Sequence, residues 1–106
     1  IIFKLPRIRY VVKFSCNFIT ILEKIFMNLN DWRADGFFFD WNGAEIFYRL
    51  SRKAPEVLLC LHGFPSSSFD YHKIYEPLAE RFAVLNYDMI GYGFSAKPVD
   101  FDYTTF

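Results

Sequence analysis

The chain has 106 residues, 53% of them hydrophobic, 22% aromatic and 23% charged, and its twelve basic and twelve acidic side chains cancel to zero net charge. That length excludes a second full-sized domain, the apolar content excludes a disordered chain, and the charge balance argues against a nucleic-acid partner. Two cysteines, Cys16 and Cys60, are too few for a disulfide framework and lack metal-ligand spacing, so neither a stapled fold nor a bound metal is expected.

Residues 1–26 differ from the rest. They carry Lys4, Arg7, Arg9, Lys13 and Lys24 against the single acid Glu23, among many Ile, Phe and Val residues. The uncharged run Phe14 to Leu22 falls well short of the roughly 20 residues a membrane-spanning helix needs. Asn28, Asn30 and Asp31 beyond it offer no small-residue cleavage site, so a cleaved signal is not expected. Met27 stands where the composition turns to that of an ordinary globular domain. Two readings of the extension stand side by side: upstream translation or a misjoined exon ahead of a natural start at Met27, and a basic apolar segment in contact with a membrane surface.

From Gly36 the pattern becomes regular. Phe37, Phe39 and Trp41 alternate with Phe38 and Asp40, and after Asn42-Gly43 the residues Ala44, Ile46, Tyr48 and Leu50 alternate with Glu45 and Arg49. This spacing predicts a two-strand hairpin, because a type I′ turn needs positive φ at both central residues and Asn-Gly supplies it. Ser51 to Glu56 reads as a loop. The unbroken apolar run Val57 to Leu61 predicts a strand covered on both faces, as in a parallel sheet, with Cys60 as packing. Tyr71, Ile74, Tyr75, Leu78 and Phe82 then follow helical spacing, with Ser67 and Asp70 as a capping pair and Pro77 as a point of kinking or restart. Ala83 to Tyr87 predicts a further strand ending at Asp88. Strand, helix, strand implies a parallel crossover, so the fold class is α/β.

In an open α/β sheet, ligands bind beyond the carboxyl ends of the strands. His62-Gly63-Phe64-Pro65 leaves the first parallel strand, and the segment Asp88 to Ser95, with Gly91 and Gly93, leaves the second. Parallel pairing puts both exits at one edge, where backbone amides released by glycine turns can stabilise an oxyanion. His72 reads as part of a solvated helix face, and Trp32 and Trp41 as core.

A strand followed by His62-Gly63-Phe64-Pro65, a Ser-rich helix start and then Asp88-x-x-Gly91-x-Gly93-x-Ser95-x-Lys97-Pro98 resembles the α/β-hydrolase superfamily, in its epoxide-hydrolase and haloalkane-dehalogenase-like branch. Within that branch Trp32, the Phe-rich hairpin, Pro55-Glu56 and the run His62 to Tyr75 are similar to the mesoderm-specific transcript proteins. The resemblance covers residues 32–106. It implies that residues 27–106 form the N-terminal part of the domain and that the backbone N–H of Phe64 supplies half of an oxyanion hole. It further implies that Gly63 and Pro65 shape that loop, that His62 is a structural hydrogen-bonding residue, and that Asp88 and Ser95 brace the turn after the second strand.

One departure from the family bears on activity. Its nucleophile sits in Gly-x-Ser-x-Gly, or the same frame with Asp, and no residue here fits: Ser95 has Gly93 before it but Lys97 after it, and none of the seven aspartates is flanked by glycines two places on either side. The family's acid and catalytic histidine follow the nucleophile in chain order. No catalytic residue is therefore expected in this chain, which should be inert by itself, while the complete protein would take a small-molecule ester, epoxide or alkyl halide without a cofactor. The alternative is a non-catalytic interaction or membrane-associated polypeptide. Gly91 to Ala96 also fits a relaxed dinucleotide fingerprint, but Lys97-Pro98 follows where that fingerprint needs a helix.

Overall fold

Alternation along the strands decides which residues meet the helices. The computed structural model describes residues 27–104, so both readings of residues 1–26 lie outside it. Its elements are α1 (Leu29–Ala34), β1 (Phe37–Trp41), β2 (Ala44–Leu50), β3 (Val57–Leu61), a 3-10 turn (Ser68–Tyr71), α2 (His72–Ala79) and β4 (Ala83–Tyr87). The four strands lie in the order β1-β2-β4-β3. β1 and β2 are antiparallel around Asn42 and Gly43, whose φ values of 51° and 84° are those a type I′ turn demands. β2 pairs antiparallel with β4, and β4 pairs parallel with β3 from Val57↔Ala83 to Leu61↔Tyr87.

Residues opposite one another in register share a face of the sheet. One face presents Phe47, Arg49, Cys60, Val84 and Asn86, all buried. Against it pack Trp32 of α1 and Tyr75, Leu78 and Ala79 of α2, which together form the core. The other face presents Phe37, Phe39, Trp41, Val57, Leu59 and Leu61, each 42–65% exposed. Every charged strand residue (Asp40, Glu45 and Arg49) falls on the helix-bearing face.

Four expectations are corrected here. β3 is not covered on both faces: it is the outer strand, and no element among the described residues lies over Val57, Leu59 and Leu61. An apolar run reports the intended environment of a strand, not which neighbours are at hand to supply it. Trp41 is half exposed on that open face, whereas Trp32 is 1% exposed. The Ser67 side chain makes no capping bond, because the chain first closes a 3-10 turn and Asp70 accepts from Ser66 Oγ instead. The helix is also shorter than its apolar spacing suggests. It runs through Pro77 without restarting and ends at Ala79, leaving Phe82 beyond it and Ile74 turned outward. His72 is half buried, stacked on Phe69 with its Nδ1 2.8 Å from the Phe69 carbonyl oxygen. Helix α1 went unread, although its signal is present: the Asn28 side chain accepts from Asp31 N–H while the Asp31 carboxylate accepts from Asn28 N–H, a capping box.

Arg49 is 4% exposed and lies between two rings, its guanidinium 4.1 Å from the Trp32 centroid and 4.5 Å from that of Tyr75. Its Nη1 donates to Met27 Sδ at 3.3 Å, and Nη2 is 3.7 Å from the carboxylate of Asp35, which is 60% exposed. So solvated an ion pair contributes at most ~1 kcal/mol. Desolvated cation–π contacts reach about 2 kcal/mol each, so the rings hold this cation more than the carboxylate does.

Burial pushes the Tyr75 hydroxyl up to about 12, against a partial lowering by Arg49. Because the folded chain favours the neutral phenol, its contribution to stability is complete below the ordinary value of 10 and declines as pH rises from there towards 12. Urea midpoints taken across that window should fall for the native sequence and fall less for Tyr75→Phe; parallel curves would refute the linkage.

Candidate functional site

Parallel pairing of Leu61 with Tyr87 sets the next residues, His62 and Asp88, side by side at one edge of the sheet. Backbone turns follow both, and side chains tie them together. His62 Nε2 accepts from Met89 N–H at 2.9 Å, so that nitrogen carries no proton, and Nδ1, 2.9 Å from the Gly63 carbonyl oxygen, is the donor. With both ring nitrogens committed and the side chain 5% exposed, His62 joins the two exits and has no nitrogen left for a substrate.

Asp88 is 1% exposed and is bound by backbone amides. Its Oδ1 accepts from Ser68 N–H and its Oδ2 from Phe94 N–H, each at 2.7 Å, so one carboxylate joins the start of the 3-10 turn to the loop after β4. Gly93, at φ 50°, makes room for this: a Cβ there would lie 2.0 Å from Asp88 Oδ2. Gly91 is equally confined, since its Cβ would stand 2.5 Å from the Tyr103 ring. Ser95 Oγ donates to the Asp88 carbonyl oxygen at 2.6 Å and accepts from Phe47 N–H at 2.9 Å, fastening the same loop to β2. Asp88 and Ser95 are thus both occupied in holding backbone.

The segment from Gly63 to Ser67 is therefore pinned at both ends to the exit of β4, through His62 to Met89 and through Ser68 to Asp88. Phe64 sits at its crest, 85% exposed, with its ring edge-on to Tyr92 at 6.2 Å and the Phe64–Pro65 peptide cis. Among the described residues the Phe64 N–H meets no acceptor. Ser66 N–H donates to the Gly63 carbonyl oxygen at 3.0 Å, closing the turn. This arrangement can present a backbone donor at the carboxyl edge of the sheet; it includes no nucleophile beside a free base.

Ser68 was missed as a member of this network. It receives the Trp32 Nε1–H on its hydroxyl at 3.1 Å while its own N–H reaches Asp88, coupling α1 to the strand exits. A serine within a Ser-Ser-Ser run gives no sequence signal for a partner 20 residues away. The dinucleotide reading fails on geometry. Residues 91–96 form a turn closed by Gly91 N–H to the Ala96 carbonyl oxygen at 2.8 Å, and no helix opens there to receive a pyrophosphate. No group of three or more His, Cys, Asp or Glu residues that could hold a metal occurs among the described residues. Cys60 is buried, and burial pushes its thiol up.

The family described as alpha/beta hydrolase fold matches residues 56–106. The chain is 44% identical over 82 residues to the mesoderm-specific transcript protein of Mus musculus, covering 74% of this chain and 24% of that protein. It is 38% identical over 65 residues to haloalkane dehalogenase 2 of Mycobacterium tuberculosis, covering 61% of this chain and 22% of that one. Among solved structures, haloalkane dehalogenase DatA from Agrobacterium tumefaciens superposes with a TM-score of 0.58 at 32% identity, over 65% of this chain and 23% of that one. The chain thus spans about a quarter of the length of the curated relatives it matches. Its paired strand exits, its four-stranded mixed sheet and these likenesses agree: the chain belongs to the α/β-hydrolase superfamily and carries an incomplete, N-terminal portion of that fold.

Proposed function

We propose that the chain supplies the oxyanion-loop part of a hydrolase that cleaves an ester, an epoxide or a carbon–halogen bond through a Ser or Asp nucleophile, and that it is inert by itself. The observation that carries this reading is the loop bearing Phe64, pinned at both ends with its N–H unclaimed by the described residues. A donor held in place before the reaction begins costs no reorganisation when charge develops on a substrate oxygen. The likeness to a haloalkane dehalogenase supports the reaction class. The nucleophile would form a covalent intermediate, and water activated by a histidine would release it; neither residue is among those assigned here. The partner is a small electrophilic molecule.

Two measurements test this. The purified 106-residue chain should release no product above buffer from p-nitrophenyl butyrate, styrene oxide or 1-bromobutane; turnover abolished by a point change within residues 27–106 would overturn its inertness. Sequencing the native transcript beyond Phe106 should reveal Gly-x-Ser-x-Gly or its Asp form, then an acid and a histidine. A frame that ends without them would overturn the hydrolase reading.

A further inference from the structure

The sheet face opposite the helices is apolar across all four strands. Phe39 and Trp41 of β1, Ile46 and Tyr48 of β2, and Leu85 and Tyr87 of β4 line a hollow of about 610 Å³ on it. β3 extends the same face with Val57, Leu59 and Leu61. We propose that this face docks a second copy of the chain, sheet against sheet.

Charge is the first argument. In a two-fold dimer the same patch serves both partners, so a charge near the axis meets its own copy. No strand residue on this face is charged, because Asp40, Glu45 and Arg49 all lie on the opposite face. The same absence disfavours an anionic bilayer as occupant, since interfacial segments combine apolar area with Lys and Arg. Area is the second argument. Aromatic side chains bury roughly 150–250 Å² each, and Phe37, Phe39, Trp41, Leu50, Val57 and Leu59 are each 44–65% exposed. Together with their half-buried neighbours they offer on the order of 800 Å² per copy, the share each partner gives to a standard-size interface. A monomer seldom leaves so large an apolar patch in water. Shape agrees as well: sheets pack about 10 Å apart with interdigitating side chains, and the hollow between the β1 aromatics and Tyr87 gives a partner's side chains room to enter.

Sedimentation equilibrium of the full chain, from about 1 to 100 µM, tests the proposal, because a dimer must respond to concentration. The expected result is a reversible monomer–dimer equilibrium. Phe39→Lys and Leu59→Lys should each weaken it by at least about tenfold, and Lys73→Glu, on the exposed side of α2, should leave it unchanged. The unmutated chain provides a measurement that does not depend on how the variants fold. Dilution through the dissociation range should red-shift tryptophan emission as Trp41 returns to water while Trp32 stays buried. Any of four results would overturn the proposal: a monomer at the highest concentration, which would assign the face to cover from within one chain; a dimer indifferent to both lysine substitutions; open-ended growth through the free edge of β3; or emission that does not change on dilution.

Discussion

Replacing Trp32 by alanine is expected to cost about 3–5 kcal/mol, the range for deleting a large buried aromatic. Trp32 is 1% exposed and meets Phe69 and Tyr75 edge-on at centroid distances of 5.9 and 5.3 Å. It also carries the Arg49 guanidinium on its ring and donates its indole N–H to Ser68. Alanine would leave a cavity between α1, α2 and the sheet, strip a buried cation of one of its two rings and end the only hydrogen bond described between the Trp32 side chain and the strand exits. A domain of about 80 residues has roughly 4–12 kcal/mol of stability in all, so much of the population should be unfolded at 25 °C. Trp32→Phe separates the contributions: it keeps most of the apolar volume and loses the N–H, at a cost of about 1–3 kcal/mol. Urea titration followed by circular dichroism measures both. A midpoint for Trp32→Ala equal to that of the native chain would show that α1 does not depend on this contact.

Asp88→Ala should be nearly as damaging and more local in its first effect. It leaves the Ser68 and Phe94 amides without their acceptor in a buried setting, and an unsatisfied buried donor costs about 1–3 kcal/mol, so the pair amounts to roughly 2–6 kcal/mol. Asp88→Asn is no remedy, because its NH₂ group must face one of those two N–H donors. The loss frees one end of the Phe64 loop and one side of the Gly93 turn together, since a single carboxylate holds both. Amide hydrogen exchange reads this directly: Ser68 and Phe94 should be protected in the native chain and exchange at least about 100-fold faster in Asp88→Ala, a factor that corresponds to about 2.8 kcal/mol. Unchanged protection at both amides would mean that the loop is held by its other contacts.

The two effects share a cause. Trp32, Ser68 and Asp88 form one chain of hydrogen bonds from the first helix to the strand exits, so damage at either end reaches the Phe64 loop. The residues with the clearest sequence signals, His62, Gly91, Gly93 and Asp88, stand at backbone turns, where residue type and conformation are tightly linked. Ser68 and Phe94 enter the same network through their main-chain N–H groups. Every residue but proline carries such a donor, so no side-chain pattern could mark these two.

Local chemistry was readable from the sequence wherever one or two residues decide the backbone. Asn42-Gly43 set a turn with positive φ at both positions, alternation around it set two strands and their register, and the apolar run from Val57 set a third. Parallel pairing of β3 with β4 followed from the strand, helix, strand order, and with it the adjacency of His62 and Asp88. The tertiary structure alone decided the sheet order, the burial of Trp32 but not Trp41, the enclosure of Arg49 by two rings, and the bareness of one face. These depend on which elements are present to cover which surface. A side chain's apolarity says that it gains by leaving water; the partner that lets it do so is fixed only when distant parts of the chain meet.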